Sequence, residues 1–376
     1  MNYLQLLSGD AQTFVSEVWG RRPHIHSVDP EQLQQIFGLD HADSLLTTSA
    51  LRTPQVRLAK DGKVLDQSRY TRRATIADQP MTGLLDAAKV LALFDDGATI
   101  VFQGLQRYWE PLRQLVRGLE QELGHPCQAN AYLTPPGSQG FALHRDTHDV
   151  FTFQTYGSKD WEIHDADGAH QIVMSPGTCM YLPTGTPHMA RTGQQTASLH
   201  VTVGINRVVW ADFLSDVVGR TIAADQRQTE PLPAALFTDP NALADALRSR
   251  LGDLADELAS VDTRAAVDRL EASFSTGRQP VLAGALLDLL DVRQLNAETR
   301  LRRRTGSQCT RREHDAKLEL LLGDRRLIMP AQVADAVGVA INAVQFTPAD
   351  LPGLTADSAL VLCRRLVREG LLEVVR

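Results

Sequence analysis

Between Arg57 and Gly204 the chain is written in short runs rich in Val, Ile, Phe, Tyr and Thr. Turn formers cut the runs apart: DG at 61–62, PPG at 135–137, GS at 157–158, DG at 167–168, PG at 176–177 and TGTP at 184–187. β-Branched and aromatic residues fit the half-buried surface of a pleated sheet, while Gly, Pro and Asp supply the backbone angles of tight turns. A long stretch of this kind predicts a region of many short strands. One helix interrupts it, from Trp109 to Leu123, where Leu112, Leu115, Val116, Leu119 and Leu123 recur at steps of three and four residues.

The flanks read differently. Asp10 to Phe37 is helical with a break at Gly20 and Pro23. Beyond about Asn206 the strands stop. Leu243, Leu247, Leu251, Leu254 and Leu258 then draw an apolar stripe along one helix, either an internal bundle seam or a dimer surface, and a second helix covers Ala265 to Ser273. The end reads as helix (Pro330 to Val339), extended piece (Val344 to Phe346), helix (Ala356 to Glu369) and strand (Leu371 to Val375), the order of a small winged-helix-like module. The expected class is α+β. Its units are a β core with helical elaboration at 1–206, a helical, dimer-forming domain at 207–299 and the winged-helix-like domain at 300–376.

At 376 residues the chain is long enough for two or three domains. Its start has no basic segment followed by an apolar one, and no run reaches the ~18 apolar residues of a membrane span. We therefore expect a cytoplasmic protein with no membrane partner. Cys127, Cys179, Cys309 and Cys363 stand far apart without a C-x-x-C pair, which predicts reduced, packed thiols rather than a zinc ribbon or disulfide framework. A net charge of −7 disfavours nonspecific nucleic-acid binding and favours encounter with a basic partner.

The chemistry concentrates in residues 130–165 and 182–190. Alternate side chains of a strand share a face, so His144 and Asp146 of HRD can point at one ion. His188, after the Gly185-Thr186-Pro187 turn, can be brought back to them by a barrel fold. Two imidazoles and a carboxylate make a facial triad with open positions, which suits Fe(II). An H-x-D pair by itself is more often a hydrogen-bonded polar couple; its surroundings decide. Lys159, in GSKDW, begins the next strand after a turn. An isolated lysine there would be solvent-exposed by default, but beside a metal triad it can take the far carboxylate of a dicarboxylate ligand.

These stretches resemble the JmjC-type, cupin-like ribosomal oxygenases. The likeness rests on Asn130, Tyr132, Thr134-Pro135, Gly137-Ser138, His144, Asp146, Asp149-Val150-Phe151, Gln154, Gly157, Lys159, Trp161, Pro187-His188 and Ser198-Leu199-His200. Weaker likeness extends from WGRRP at 19–23 and VRLAKDGK at 56–63 to DLPGL at 350–354 and REGLL at 368–372. The resemblance implies a double-stranded β-helix. It also implies iron held by His144, Asp146 and His188, 2-oxoglutarate held by Lys159, O2 as second cosubstrate, and hydroxylation of an arginine or histidine side chain in a ribosomal protein. Asn130 and Tyr132 would face the pocket, or equally be ordinary core; His200 would be a buried, hydrogen-bonded histidine in support of the site.

His148 continues the alternation, but three successive same-face ligands spread ~13 Å along a strand and cannot share an ion. His164 and His170 flank a turn and should face solvent, and Arg145 should point away from the metal. The same chemistry on a peptide or small biosynthetic substrate remains open. So do two other classes: a non-catalytic cupin-like binding protein, and a nucleic-acid-binding regulator suggested by Arg300 to Arg304 with Arg311 and Arg312. The acidic balance and lack of interleaved aromatics argue against the regulator, since a basic run is usually a solvated face or linker.

Overall fold

The computed structural model describes residues 2–138, 142–165, 167–232, 234, 237–314 and 316–376. Strands β1 His24–Ser27, β2 Val56–Lys60, β3 Lys63–Val64, β4 Thr71–Ile76, β5 Gln79–Leu85 and β6 Thr99–Phe102 lead into the central series. That series is β7 Cys127–Thr134, β8 His144–Arg145, β9 Asp149–Tyr156, β10 Lys159–Asp165, β11 Gly168–Met174, β12 Thr178–Leu182, β13 Pro187–Thr192 and β14 Ser198–Ile205. An eight-stranded sheet runs in the order β1-β12-β9-β14-β7-β6-β2-β3 and a four-stranded sheet in the order β11-β10-β13-β8. From β7 to β14 the chain passes back and forth between these sheets in antiparallel pairings. This is the expected double-stranded β-helix.

Period-two alternation positions the site. On the large sheet, Ala129, Ala131, Phe151, Phe153, Leu199, Val201 and Val203 join one core with Leu4, Leu7, Phe14, Leu33, Phe37, Leu112, Leu115 and Leu119 from the helices outside. Full burial of each large apolar side chain contributes roughly 1.5–3 kcal/mol. The residues between them, Tyr132, Thr134, His200 and Thr202, point the other way, and all four line a cavity. A strand covered on one face by helices and on the other by a cavity thus carries apolar and polar residues in strict alternation.

The helix predicted at Trp109 to Leu123 forms at Glu110–Leu123, closed by Gly124 in the left-handed region at φ 73°. A helix inside the β-rich part and a strand ahead of it were not anticipated. Ala87–Asp95 is a second helix, capped by Asp86 and burying only Val90, so it carries too short an apolar stripe to read. His24–Ser27, in the expected helix break, pairs as an edge strand with β12.

After β14 come helices Trp210–Ala224, Pro240–Ala259 and Thr263–Thr276. The leucine stripe is not fully covered within the chain, since Leu247 and Leu251 are each 57% exposed. In the last part β15 Leu301–Arg303 pairs with β19 Leu372–Val374, and helices Ala334–Asn342 and Ala356–Arg368 match the expected order. A meander of β16 Cys309–His314, β17 Lys317–Leu322 and β18 Arg325–Pro330 precedes them and was not foreseen. The separate core of this part reaches back to Val292 and Leu295. Arg304 corrects the view of the basic run as a solvated face. It is 2% exposed, donates to Asp288 at 2.5 Å, and also donates to the carbonyls of Gly370 and Ala283. The four cysteines are free, and Cys127, Cys179 and Cys363 are buried. Among the described residues no helix is long and apolar enough to cross a membrane.

Candidate active site

Antiparallel pairing of β13 with β8 sets His188 directly opposite His144. Asp146 follows just past the end of β8, its carbonyl held by the Gly185 N–H at 2.9 Å. His144 Nε2 lies 3.7 Å from Asp146 Oδ1 and His188 Nε2 lies 3.6 Å from Asp146 Oδ2. One ligand atom from each of the three residues falls within 4.8 Å of the others, and no other such group occurs among the described residues. Donors ~2.1 Å from an ion and at right angles to each other lie ~3 Å apart, so a small inward movement completes the coordination.

The tautomers are prepared for it. His144 Nδ1 is 2.9 Å from the Ala142 carbonyl and His188 Nδ1 is 3.0 Å from the Thr186 carbonyl. A carbonyl accepts only, so each Nδ1 carries the proton and each Nε2 presents its lone pair to the metal. Burial first, then the neighbouring His144, holds the His188 pKa down and favours the neutral ligand form. His148 stays outside this group, its ring against Gly204 of β14. Arg145 is exposed and donates to the Gly185 carbonyl at 3.1 Å, away from the triad as expected. His164 is half-buried beside Glu162, while His170 is exposed beside Asp165.

The triad opens into a cavity of about 270 Å³ between the sheets. Lys159, from β10 beside β13, is 3% exposed. Its Nζ donates to Thr134 Oγ1 at 3.2 Å, and Thr99 Oγ1 bonds the same hydroxyl at 3.3 Å. Among the described residues no carboxylate comes within ion-pair distance of it, and burial lowers its pKa to about 7. A buried ammonium without a counter-ion is costly, so the arrangement fits an anion that brings its own charge. Trp161, Val150, Leu182 and Ala190 make the apolar wall.

Tyr132 and His200, directly paired across β7 and β14, stack nearly parallel with centroids 5.0 Å apart. Trp161 meets His200 edge-on at 5.6 Å. The expected hydrogen-bonded histidine is corrected at one atom: His200 Nδ1 is buried with no partner, as is Trp161 Nε1. Burial first, then the Lys159 charge, holds His200 well below its ordinary pKa. Asn130 does not line the cavity. Its Oδ1 accepts the Gly104 N–H at 2.9 Å, in a turn where Gly104 has φ 64°. The sequence reading missed Arg57, which reaches the cavity from β2. Its one sequence signal is a charged residue alternating with Val56 and Leu58 in VRLAK.

Comparison with known proteins places this geometry. The JmjC domain family model matches residues 106–171 and 164–213. Mouse ribosomal oxygenase 2 is 28% identical over 277 residues, 66% of this chain and 58% of that protein. Human ribosomal oxygenase 1 is 28% identical over 236 residues, 56% of this chain and 35% of that protein. The chain thus spans less than two thirds of the length of these curated relatives. A crystal structure of the Escherichia coli ribosomal oxygenase YcfD, solved with cobalt and 2-oxoglutarate, superposes at a TM-score of 0.55 with 17% identity, covering 97% of this chain and 98% of that one. Residues 106–213 thus resemble the JmjC domain, the chain is similar in sequence to ribosomal oxygenases, and its fold is shared with YcfD.

Proposed function

We propose that the protein is an Fe(II)- and 2-oxoglutarate-dependent oxygenase that hydroxylates an arginine or histidine side chain of a ribosomal protein. One observation carries the reading: the His144, Asp146 and His188 triad and the buried Lys159 line the same cavity. The donor set fits iron, being two imidazoles and one carboxylate with positions left open. When bound, iron, 2-oxoglutarate and O2 together supply the oxidant for a C–H bond and release succinate and CO2. The chain's own groups do the rest. His144 and His188 keep Nε2 deprotonated through their Nδ1–H bonds to backbone carbonyls. Lys159 holds its proton toward the distal carboxylate, and Trp161 with its apolar neighbours keeps water from the reacting bond.

The test is anaerobic loading with Fe(II) and 2-oxoglutarate, then O2, with succinate assay and intact-mass analysis of ribosomal proteins. Succinate coupled to a gain of one oxygen on one protein is the expected result. Succinate without such a product would redirect the search to peptides or small molecules, and tight metal binding without succinate would favour the non-catalytic cupin-like reading.

Lys159 gives this reading a pH signature. Free, it is protonated below about pH 7; bound to a dicarboxylate, it stays protonated to higher pH. 2-Oxoglutarate affinity should therefore fall roughly tenfold per pH unit above about 7, with proton uptake on binding. Calorimetry in two buffers of different ionisation enthalpy measures both, and a flat affinity from pH 6.5 to 8.5 would refute the assigned role.

The net charge of −7 suits a basic protein substrate. We place the protein in the cytoplasm, without a nucleic-acid partner, as a homodimer joined through the helical part. Trp210 is 75% exposed, and the helices Trp210–Ala224 and Pro240–Ala259 bury none of their residues. Light scattering at micromolar concentration should give twice the chain mass, and a strict monomer would leave these faces to another partner.

A further inference from the structure

The side chain that enters the cavity meets a charge that the triad and Lys159 do not account for. Among the described lining residues the charged groups are Arg57, Lys159 and Asp146, with Asp146 the one carboxylate. With a divalent ion and a dicarboxylate in place, those two charges cancel, and Lys159 cancels Asp146. The net charge of the loaded cavity is then that of Arg57.

The fold holds that charge on the cavity wall. Arg57 pairs with Val101 across β2 and β6, Val101 with Tyr132 across β6 and β7, and Tyr132 with His200 across β7 and β14. This row of the large sheet faces the triad. The Arg57 side chain is hydrogen-bonded to the Tyr132 hydroxyl, which is close enough to Asp146 to feel its charge. Arg57 is half-buried and lines the same cavity as the three metal ligands. Behind it lie the flat faces of Tyr132 and His200, the Trp161 ring, and two buried N atoms without partners, His200 Nδ1 and Trp161 Nε1.

We propose that Arg57 sets the charge selectivity of this cavity, admitting an uncharged polar or aromatic side chain and turning away guanidinium and ammonium groups. The proposal rests on the oxygenase reading above and narrows it. A like charge ~6 Å away, at an effective dielectric constant of ~20, disfavours a cationic side chain on the order of 100-fold. An uncharged side chain escapes that penalty and can offer hydrogen-bonding groups to His200 and Trp161. Long-range attraction of a basic protein by the acidic molecule is compatible with rejection of the cationic group itself, because the two act at different distances.

The experiment maps oxygenation sites by tandem mass spectrometry after incubating purified bacterial ribosomal proteins with the full chain, Fe(II), 2-oxoglutarate and O2. Wild type is compared with Arg57→Gln and Arg57→Glu, each checked for an unchanged melting profile. In the wild type all added oxygen should fall on uncharged side chains. Arg57→Glu should raise the ratio of arginine-plus-lysine to uncharged products at least tenfold, with Arg57→Gln between the two. Oxygen on arginine or lysine in the wild type overturns the proposal without recourse to either variant. An equal fall in all products in both variants overturns it as well, since that is what a purely structural role would give. No succinate from the wild type, with or without ribosomal proteins, removes the oxygenase reading and this inference together.

Discussion

Turnover of 2-oxoglutarate by Asp146→Ala or His188→Ala should be undetectable, and Fe(II) affinity should fall by more than the ~10–100-fold that loss of an outer-shell partner costs. Each change deletes one of three donors held within 4.8 Å of one another. The remaining pair cannot define three adjacent coordination positions, and imidazole alone does not neutralise the ion. The two variants divide the risk that one of them misfolds. His188 is buried, so its truncation leaves a void. Asp146 is less buried and its removal costs little packing. Anaerobic Fe(II) titration followed by succinate assay reads both effects, and wild-type turnover in either variant would remove that residue from the metal centre.

Lys159→Met should move two quantities in opposite directions. The 2-oxoglutarate concentration needed for half-saturation should rise on the order of 100-fold, because a buried charge-assisted pair is lost, while Fe(II) affinity stays near wild type. The ligand-free protein should at the same time become more stable. Unfolded, the lysine keeps its proton to about pH 10.5; folded, only to about 7. The unfolded state therefore binds more protons between those limits, and stability rises with pH across the window. The penalty of burying this ammonium is full below about pH 7, amounts to several kcal/mol, and fades toward pH 10.5. Methionine fills similar space without the charge, so the melting temperature should rise by several degrees at pH 6.5 and hardly at all near pH 10.5. Unchanged cosubstrate demand, or a variant less stable at pH 6.5, would contradict this account of the residue.

The parts of the site that the sequence made legible are those with local grammar. His144 and Asp146 stand two apart, His188 follows a Gly-Thr-Pro turn, and Lys159 opens a strand after Gly157-Ser158. A core of many short strands followed from the density of turns between short apolar runs, and its double-stranded β-helix form from the family resemblance. What was not legible depends on cross-strand register. Arg57 and His200 share a row with Tyr132 only once β2, β6, β7 and β14 are aligned, and nothing within VRLAK says that its arginine faces a cavity. The two readings of Asn130, pocket or core, could not be separated for a related reason. Side-chain alternation sends it to the inner face with Tyr132, but the Gly104 turn claims its carbonyl oxygen first. The Cys309–Pro330 meander escaped because its strands mix charged and apolar residues. Arg304 escaped because its acceptors, Asp288 and the Gly370 carbonyl, come from far along the chain.

The two sheets also split the labour of the active site along a line that evolution can use. Lys159, His188 and His144 with the adjoining Asp146 all belong to the four-stranded sheet and its edge, whereas Arg57, Tyr132, Thr134, His200 and Thr202 project from the eight-stranded one. On the proposed function, reactivity is anchored on one wall and admission is governed largely from the other. Changes on the second wall can retune what is accepted without shifting a ligand atom, which lets one oxidising centre be reassigned to new targets by a few mutations.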